Sequence, residues 1–240
     1  MLVAAAVCPH PPLIVPELAG AAAPELDALR SACTVAIRSL LASKPRLLVV
    51  VGTAEHSATY PGNAAGTMSP WGVDVRVGEG TPVLPLSLTV ARWLLETAFP
   101  AEDLPPLRFE AVAADASPDD CAALGREVAA AADDVAVLAM GDGSAKLTEK
   151  SPGYLHPLAV PYDASLGRAL ADADGGFLAQ LDPSEAEELW VGGRAAFQVL
   201  AGAAAAADFV GEPLYDDAPY GVGYFVARWS REEAHGERLA

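Results

Sequence analysis

Runs of consecutive apolar residues alternate along this chain with stretches in which apolar residues recur every three or four positions. Leu2–Val7 is the first continuous run, and it reads as a short buried strand. Pro24–Ala42 follows with Leu26, Leu29, Ala32, Ile37, Leu40 and Leu41 at helical spacing. Leu47–Val51 is rich in β-branched residues and reads as a central parallel strand, since strands buried on both faces lose polar alternation. Gly72–Val77 alternates and predicts a further strand. Leu86–Ala98 predicts a helix, Arg108–Ala113 a strand, and Ser117–Ala132 a helix with Ser117 as N-cap and Pro118 at its first position. Asp134–Met140 predicts a second buried strand, Pro161–Asp172 and Pro183–Ala206 mostly helix. Phe209–Tyr215 and Gly223–Trp229 predict a closing pair of strands.

This strand–helix rhythm predicts an α/β fold: a single domain over 1–240 with a central, mostly parallel sheet, helices on both faces and the strand pair at its C-terminus. Such sheets hold ligands outside the carboxyl ends of their strands. Three segments fall there: the loop with His10, the loop Gly52–Ser57 with His56, and the loop Gly141–Lys146. The stretch Gly141–Pro161 has no periodicity and is long for a connector, so it is a candidate functional loop or lid.

Composition narrows the function classes. A net charge of −17 argues against nucleic acid and against an anionic membrane surface, because both need clustered Lys and Arg. Cys8, Cys33 and Cys121 are scattered and suit a reducing compartment better than a disulfide framework. The N-terminus shows no signal-peptide pattern and no apolar run reaches membrane-spanning length, so the cytoplasm is the expected location. No phosphate-binding loop, nucleophile elbow or zinc-finger spacing occurs.

The candidate chemistry centres on histidine. His10 stands in Pro9-His10-Pro11-Pro12, where proline restricts the backbone on both sides and fixes the imidazole at a strand end. A neutral imidazole there is a good metal ligand, and a plain surface-loop histidine is the alternative. His56 follows the second strand. Neighbouring parallel strands lie about 4.8 Å apart, so histidines at the ends of two of them can share one metal. Two His and one carboxylate on one face make a non-haem iron site. Glu187 and Glu188 read by themselves as a solvated helix face, and either becomes a carboxylate candidate only through the resemblance that follows. His156 lies in the long loop, and His235 in a polar tail with no expected role.

Four ordered segments carry a resemblance. Pro9-His10-Pro11-Pro12, the strand leading to His56, the run Met140-Gly141-Asp142-Gly143-Ser144-Ala145-Lys146-Leu147-Thr148, and Tyr220-Gly221-Val222-Gly223-Tyr224 together make the chain similar to the class III extradiol dioxygenases. These are typified by the β subunit of protocatechuate 4,5-dioxygenase, and their superfamily includes the mediator-of-cell-motility (MEMO) proteins. The resemblance implies Fe(II) held by His10, His56 and a carboxylate such as Glu188, with a small aromatic molecule as ligand and Asp142, Ser144 and Ala145 at the pocket. Two departures stand out. The family's acid/base histidine corresponds to Ala145, which cannot transfer a proton, leaving His156 as the candidate substitute. A Cys-Gly-x-Arg pattern of some relatives is replaced by Val191-Gly192-Gly193-Arg194. The expectation is therefore an extradiol dioxygenase-like protein with an altered site. The alternative is a non-catalytic, MEMO-like binding protein, with a metal-dependent hydrolase a lesser possibility. Either could be a homo-oligomer.

Overall fold

The computed structural model describes residues 1–100 and 103–231; His235 lies outside them. Its strands are β1 (Leu2–Cys8), β2 (Leu47–Ala54), β3 (Ala58–Pro61), β4 (Gly66–Thr67), β5 (Arg76–Val77), β6 (Leu107–Ala113), β7 (Val135–Met140), β8 (Phe209–Asp217) and β9 (Tyr224–Arg231). Its helices are α1 (Pro16–Ala19), α2 (Asp27–Ala42), α3 (Leu86–Ala98), α4 (Pro118–Ala130), α5 (Ala159–Ala171), α6 (Gly175–Ala179), α7 (Pro183–Glu188) and α8 (Arg194–Ala204).

Seven strands form one sheet in the order β3-β6-β2-β7-β1-β9-β8. The inner four, β6, β2, β7 and β1, are parallel. β3 pairs antiparallel with β6 at one edge, and β9 with β1 and β8 at the other. The fold class and the closing strand pair are those expected from the apolar pattern.

Side-chain alternation divides the core into two layers. Ala5 and Val7 of β1, Val49 and Val51 of β2 and Val137 and Ala139 of β7 pack toward α4, α5 and α8. Ala4, Ala6, Leu48, Val50, Ala136 and Leu138 pack toward α2 and α3. Both faces are buried, which is why these strands read as continuous apolar runs. The alanine content of α8 has a packing reason. Gly125 of α4 and Gly202 of α8 lie where an added Cβ would stand 2.2 Å from the Val199 carbonyl oxygen and 2.6 Å from that of Ala122, so small residues let the two helices approach closely.

Local chemistry sets the helix ends. Ser117 accepts the Asp120 amide at 3.1 Å and Pro118 opens α4, as the sequence predicts. Asp182 caps α7 in the same way through the Glu185 amide, at 2.8 Å. Pro183–Ala206 is mostly helical, as expected, in two pieces separated at Trp190, which has φ 54°, and at Val191, which bridges to Ser144 before α8 begins. Two expectations are corrected. Of Gly72–Val77 only Arg76–Val77 is strand, paired with β4 apart from the main sheet, because the chain leaves a 3₁₀ turn through Gly72 at φ 95°. The segment 20–26 is 3₁₀, so the α-helix starts at Asp27 rather than Pro24. The edge strand β3 had no apolar run to announce it.

Trp229 of β9 is 1% exposed and its indole N–H donates to the Leu170 carbonyl at 2.7 Å, tying the sheet to α5. Trp229→Phe leaves that carbonyl unpaired in a buried setting. A loss of about 1–3 kcal/mol is expected, read as a lower denaturation midpoint in urea with an unchanged slope.

Candidate functional site at the carboxyl edge of the sheet

His10 lies just beyond the end of β1. Pro11, with φ −64° and ψ 138°, holds the backbone extended, and a 3₁₀ turn over Pro12–Ile14 follows. The β1–β7 pairing continues past Met140, with the Gly141 amide donating to the Cys8 carbonyl at 3.0 Å. This carries Asp142 across to His10. Its Oδ1 accepts the His10 backbone N–H at 2.8 Å. His10 Nδ1 lies 3.7 Å from the same oxygen, buried and without a hydrogen-bond partner. The imidazole is 13% exposed in its side chain. Asp142 thus fixes the histidine's backbone and places a carboxylate near one ring nitrogen without hydrogen-bonding to it.

Ser144 is fully buried and fully committed. Its amide donates to Asp163 Oδ1 at 2.9 Å and its hydroxyl donates to the Leu189 carbonyl at 2.6 Å. The same hydroxyl oxygen accepts the Lys146 amide at 3.1 Å. Its role here is to hold the loop. Ala145 pairs by backbone with two segments: its amide donates to the Trp190 carbonyl at 3.3 Å and its carbonyl accepts from Gly153 at 3.0 Å. The loop that follows folds back, and the His156 amide donates to the Lys146 carbonyl at 2.9 Å. His156 therefore stands next to the segment that carries Ala145. Its Nε2 lies 3.2 Å from Glu188 Oε1, and its Nδ1 accepts the Leu158 amide at 3.3 Å. Both ring nitrogens are engaged.

His56 is placed differently. Its side chain is 85% exposed in the turn between β2 and β3, and its ion-pair neighbour is the equally exposed Glu55 at 3.8 Å. β1 and β2 are not neighbours, because β7 runs between them. Their ends are two strand spacings apart, about 9–10 Å, rather than the single spacing expected. Of the donors implied for Fe(II), His10 has the setting of a ligand, His56 faces solvent, and Glu188 is joined to His156. Among the described residues no three His, Cys, Asp or Glu side chains are gathered as a metal-binding group. This arrangement does not present an assembled iron triad.

A cavity of about 580 Å³ opens beside these residues, lined by Thr53 and Asp115 from the ends of β2 and β6 and by Glu187, Trp190, Gly192 and Arg194. Asp142, Ser144 and Ala145 are not on its lining. Gly192 joins it to the histidine: a Cβ at that position would stand 3.7 Å from His10 Cε1. Arg194, 3% exposed, donates to the Ala116 carbonyl at 2.6 Å, to Gln198 Oε1 at 2.9 Å and to the Ala114 carbonyl, which fastens the β6–α4 loop to α8. The indole of Trp190 is half exposed and carries Lys146 Nζ over its ring at 5.1 Å.

Sequence reasoning missed Arg194, Trp190 and Asp163. The signal for Asp163 was present, as a carboxylate on the buried face of the α5 pattern. Arg194 and Trp190 sat in a segment read as mostly helix, whose pattern does not show the corner at Trp190.

No family model matches the chain, and no curated protein matches it. Among solved structures, the crystal structure of the uncharacterized protein JW3007 from Escherichia coli K12 is similar, with a TM-score of 0.60 over 95% of this chain and 99% of that one. The two are 11% identical, so the likeness is one of fold.

The Asp142 carboxylate joins the ends of β7 and β1. Asp142→Ala is expected to cost about 1.5–3 kcal/mol, the range for a hydrogen bond to a charged group, whereas Asp142→Asn, which keeps an acceptor oxygen, costs less. Thermal and urea denaturation of the two variants beside the wild type checks the order.

Proposed function

We propose that this protein is a class III extradiol dioxygenase-like scaffold that binds a small molecule at the carboxyl edge of its sheet and cleaves catechol rings weakly or not at all. The observation that carries the reading is the state of the proton-transfer position. Ala145 stands there, and the neighbouring histidine, His156, has one ring nitrogen on Glu188 and the other on the Leu158 amide. A general acid or base must reach the proton it moves, within about 2.6–3.2 Å or through one water. Neither residue offers a free group for that.

The resemblance of the His10, Gly141–Thr148 and Gly221–Tyr224 segments supports the scaffold part of the reading. The cavity beside His10 supports small-molecule binding, since concave sites of a few hundred Å³ at the carboxyl ends of parallel strands are where α/β folds take ligands. Of the donors the resemblance implies, His10, whose backbone Asp142 holds, is the enclosed one, while His56 faces solvent.

A second reading is Fe(II)-dependent ring cleavage with His156 as the substitute acid/base. It is favoured by the hairpin that brings His156 to Lys146 and by the Glu188 carboxylate on Nε2, the kind of partner that orients a working histidine.

One assay separates the two. Ring-fission product from protocatechuate is followed for protein loaded anaerobically with Fe(II), as wild type, Ala145→His and His156→Ala. The expected result is little or no wild-type turnover and a gain in Ala145→His. A placed acid/base group contributes about 10²–10⁴-fold. Wild-type turnover abolished by His156→Ala establishes the second reading; robust turnover that survives it sinks the argument from Ala145.

A further inference from the structure

Asp163 is a buried carboxyl with one unpartnered oxygen. It sits on α5 and is 6% exposed. One oxygen, Oδ1, accepts the Ser144 amide at 2.9 Å. The other, Oδ2, is buried with no hydrogen-bond partner. It is pressed between two glycines: a Cβ on Gly143 would stand 2.6 Å from it and a Cβ on Gly223 2.0 Å. Those glycines are themselves joined, since the Gly143 amide donates to the Gly223 carbonyl at 2.7 Å and the Gly223 amide to the Ser144 carbonyl at 3.0 Å. The carboxyl is the point where α5, the loop after β7 and the turn before β9 meet. That loop also carries Asp142, which holds His10.

We propose that Asp163 is a proton-controlled clamp on the site loop: protonated, it keeps Gly143–Ser144 seated against the Gly221–Gly223 turn, and its ionisation favours opening of that junction. A neutral carboxyl needs far less hydration than a carboxylate, and Oδ2 has no protein donor to stand in for water. Opening lets water reach the charged form.

The surroundings of Asp163 support this direction. On α5 the neighbouring titratable group is Tyr162, whose hydroxyl is raised by burial and by the surrounding carboxylates, Asp163 among them. From β9 the neighbour is the uncharged Phe225 ring. From β8 it is Asp216, a like charge, itself raised by burial and by Asp217. The loop and the turn present only glycine and the Ser144 amide. Among the described residues no Lys, Arg or His forms an ion pair with Asp163. Burial first, and then Asp216, push its carboxyl up from 3.8 to about 7, against the lowering by the Ser144 amide.

The sign follows from proton counting. The closed state keeps a proton that the open state has lost between pH about 4 and about 7. The closed form is therefore favoured most at the acid end, and the advantage is lost as pH rises toward 7, with no further change above it. Between pH 5 and 7.5 the opening constant is expected to rise about ten- to hundredfold.

Amide hydrogen exchange of the full chain, corrected for the chemical rate, reads this at Gly143, Ser144 and Gly223, with buried amides of β2 as the control. The expected result is a loss of protection at the three junction amides over that range, absent at β2, and pH-independent protection in Asp163→Asn. Asp216→Asn, at the sheet edge, leaves Asp163 in place and should move the transition to lower pH, which keeps the test decisive if Asp163→Asn fails to fold. Flat protection in the wild type, or the same slope in Asp163→Asn, overturns the clamp. An unshifted transition in Asp216→Asn overturns its assignment to Asp163.

Discussion

Burial of the four parallel strands on both faces is the constraint from which the rest follows. The backbone groups of β6, β2, β7 and β1 pair mainly along the sheet, with side-chain partners at the strand ends such as Ser57 Oγ for the Ala113 amide and Ser87 Oγ for the Thr53 carbonyl. Their side chains fill two separate helix-covered layers. Those layers are apolar, and a polar atom left unpaired in them is costly. Chemistry is thereby confined to the loops at the strand ends, and the parallel arrangement puts the ends of β1, β2, β6 and β7 on one edge.

What happens at that edge is governed by hydrogen bonds more than by apolar contact. The loop after β7 is sewn down at nearly every residue: Gly141 to Cys8, Asp142 to His10 and Gly193, Gly143 to Gly223, Ser144 to Asp163 and Leu189. Buried backbone amides demand such partners, because each unpaired one costs about 1–3 kcal/mol. The side chains of Asp142 and Asp163 satisfy two of these amides, those of His10 and Ser144, and Asp142 thereby fixes the backbone of His10, which approaches the cavity only through Gly192. The long stretch before α5, which looked like a free lid in sequence, is held by Gly153 and His156 amides on the carbonyls of Ala145 and Lys146.

The same network explains why the histidines have unequal prospects. His10 is enclosed by a proline-restricted backbone, a carboxylate that holds its amide, and Gly192, beyond which the cavity lies. His156 is enclosed too, but its ring nitrogens are spent on Glu188 and on the start of α5. His56 belongs to an exposed turn whose neighbouring strand, β3, forms the sheet edge.

Much of the architecture was legible in the residues alone. The strands β1, β2 and β7 announce themselves as apolar runs because both of their faces are buried, and α4 carries its own start signal in Ser117-Pro118. The proline-flanked His10 and its place at a strand end were legible for the same reason: local backbone restriction is written in adjacent residues. What needed tertiary structure was every relation between distant segments. Strand order is set by which layers of helices cover the sheet, and nothing in the β1 or β2 residues says that β7 runs between them. The break at Trp190 depends on the Val191–Ser144 bridge, a contact between residues far apart in sequence. The partners of Asp163 lie on two other segments, and its unusual carboxyl exists only once those glycines close around it. Periodicity records whether a residue is buried. It does not record what the residue is buried against, and at this edge of the sheet that second fact decides the chemistry.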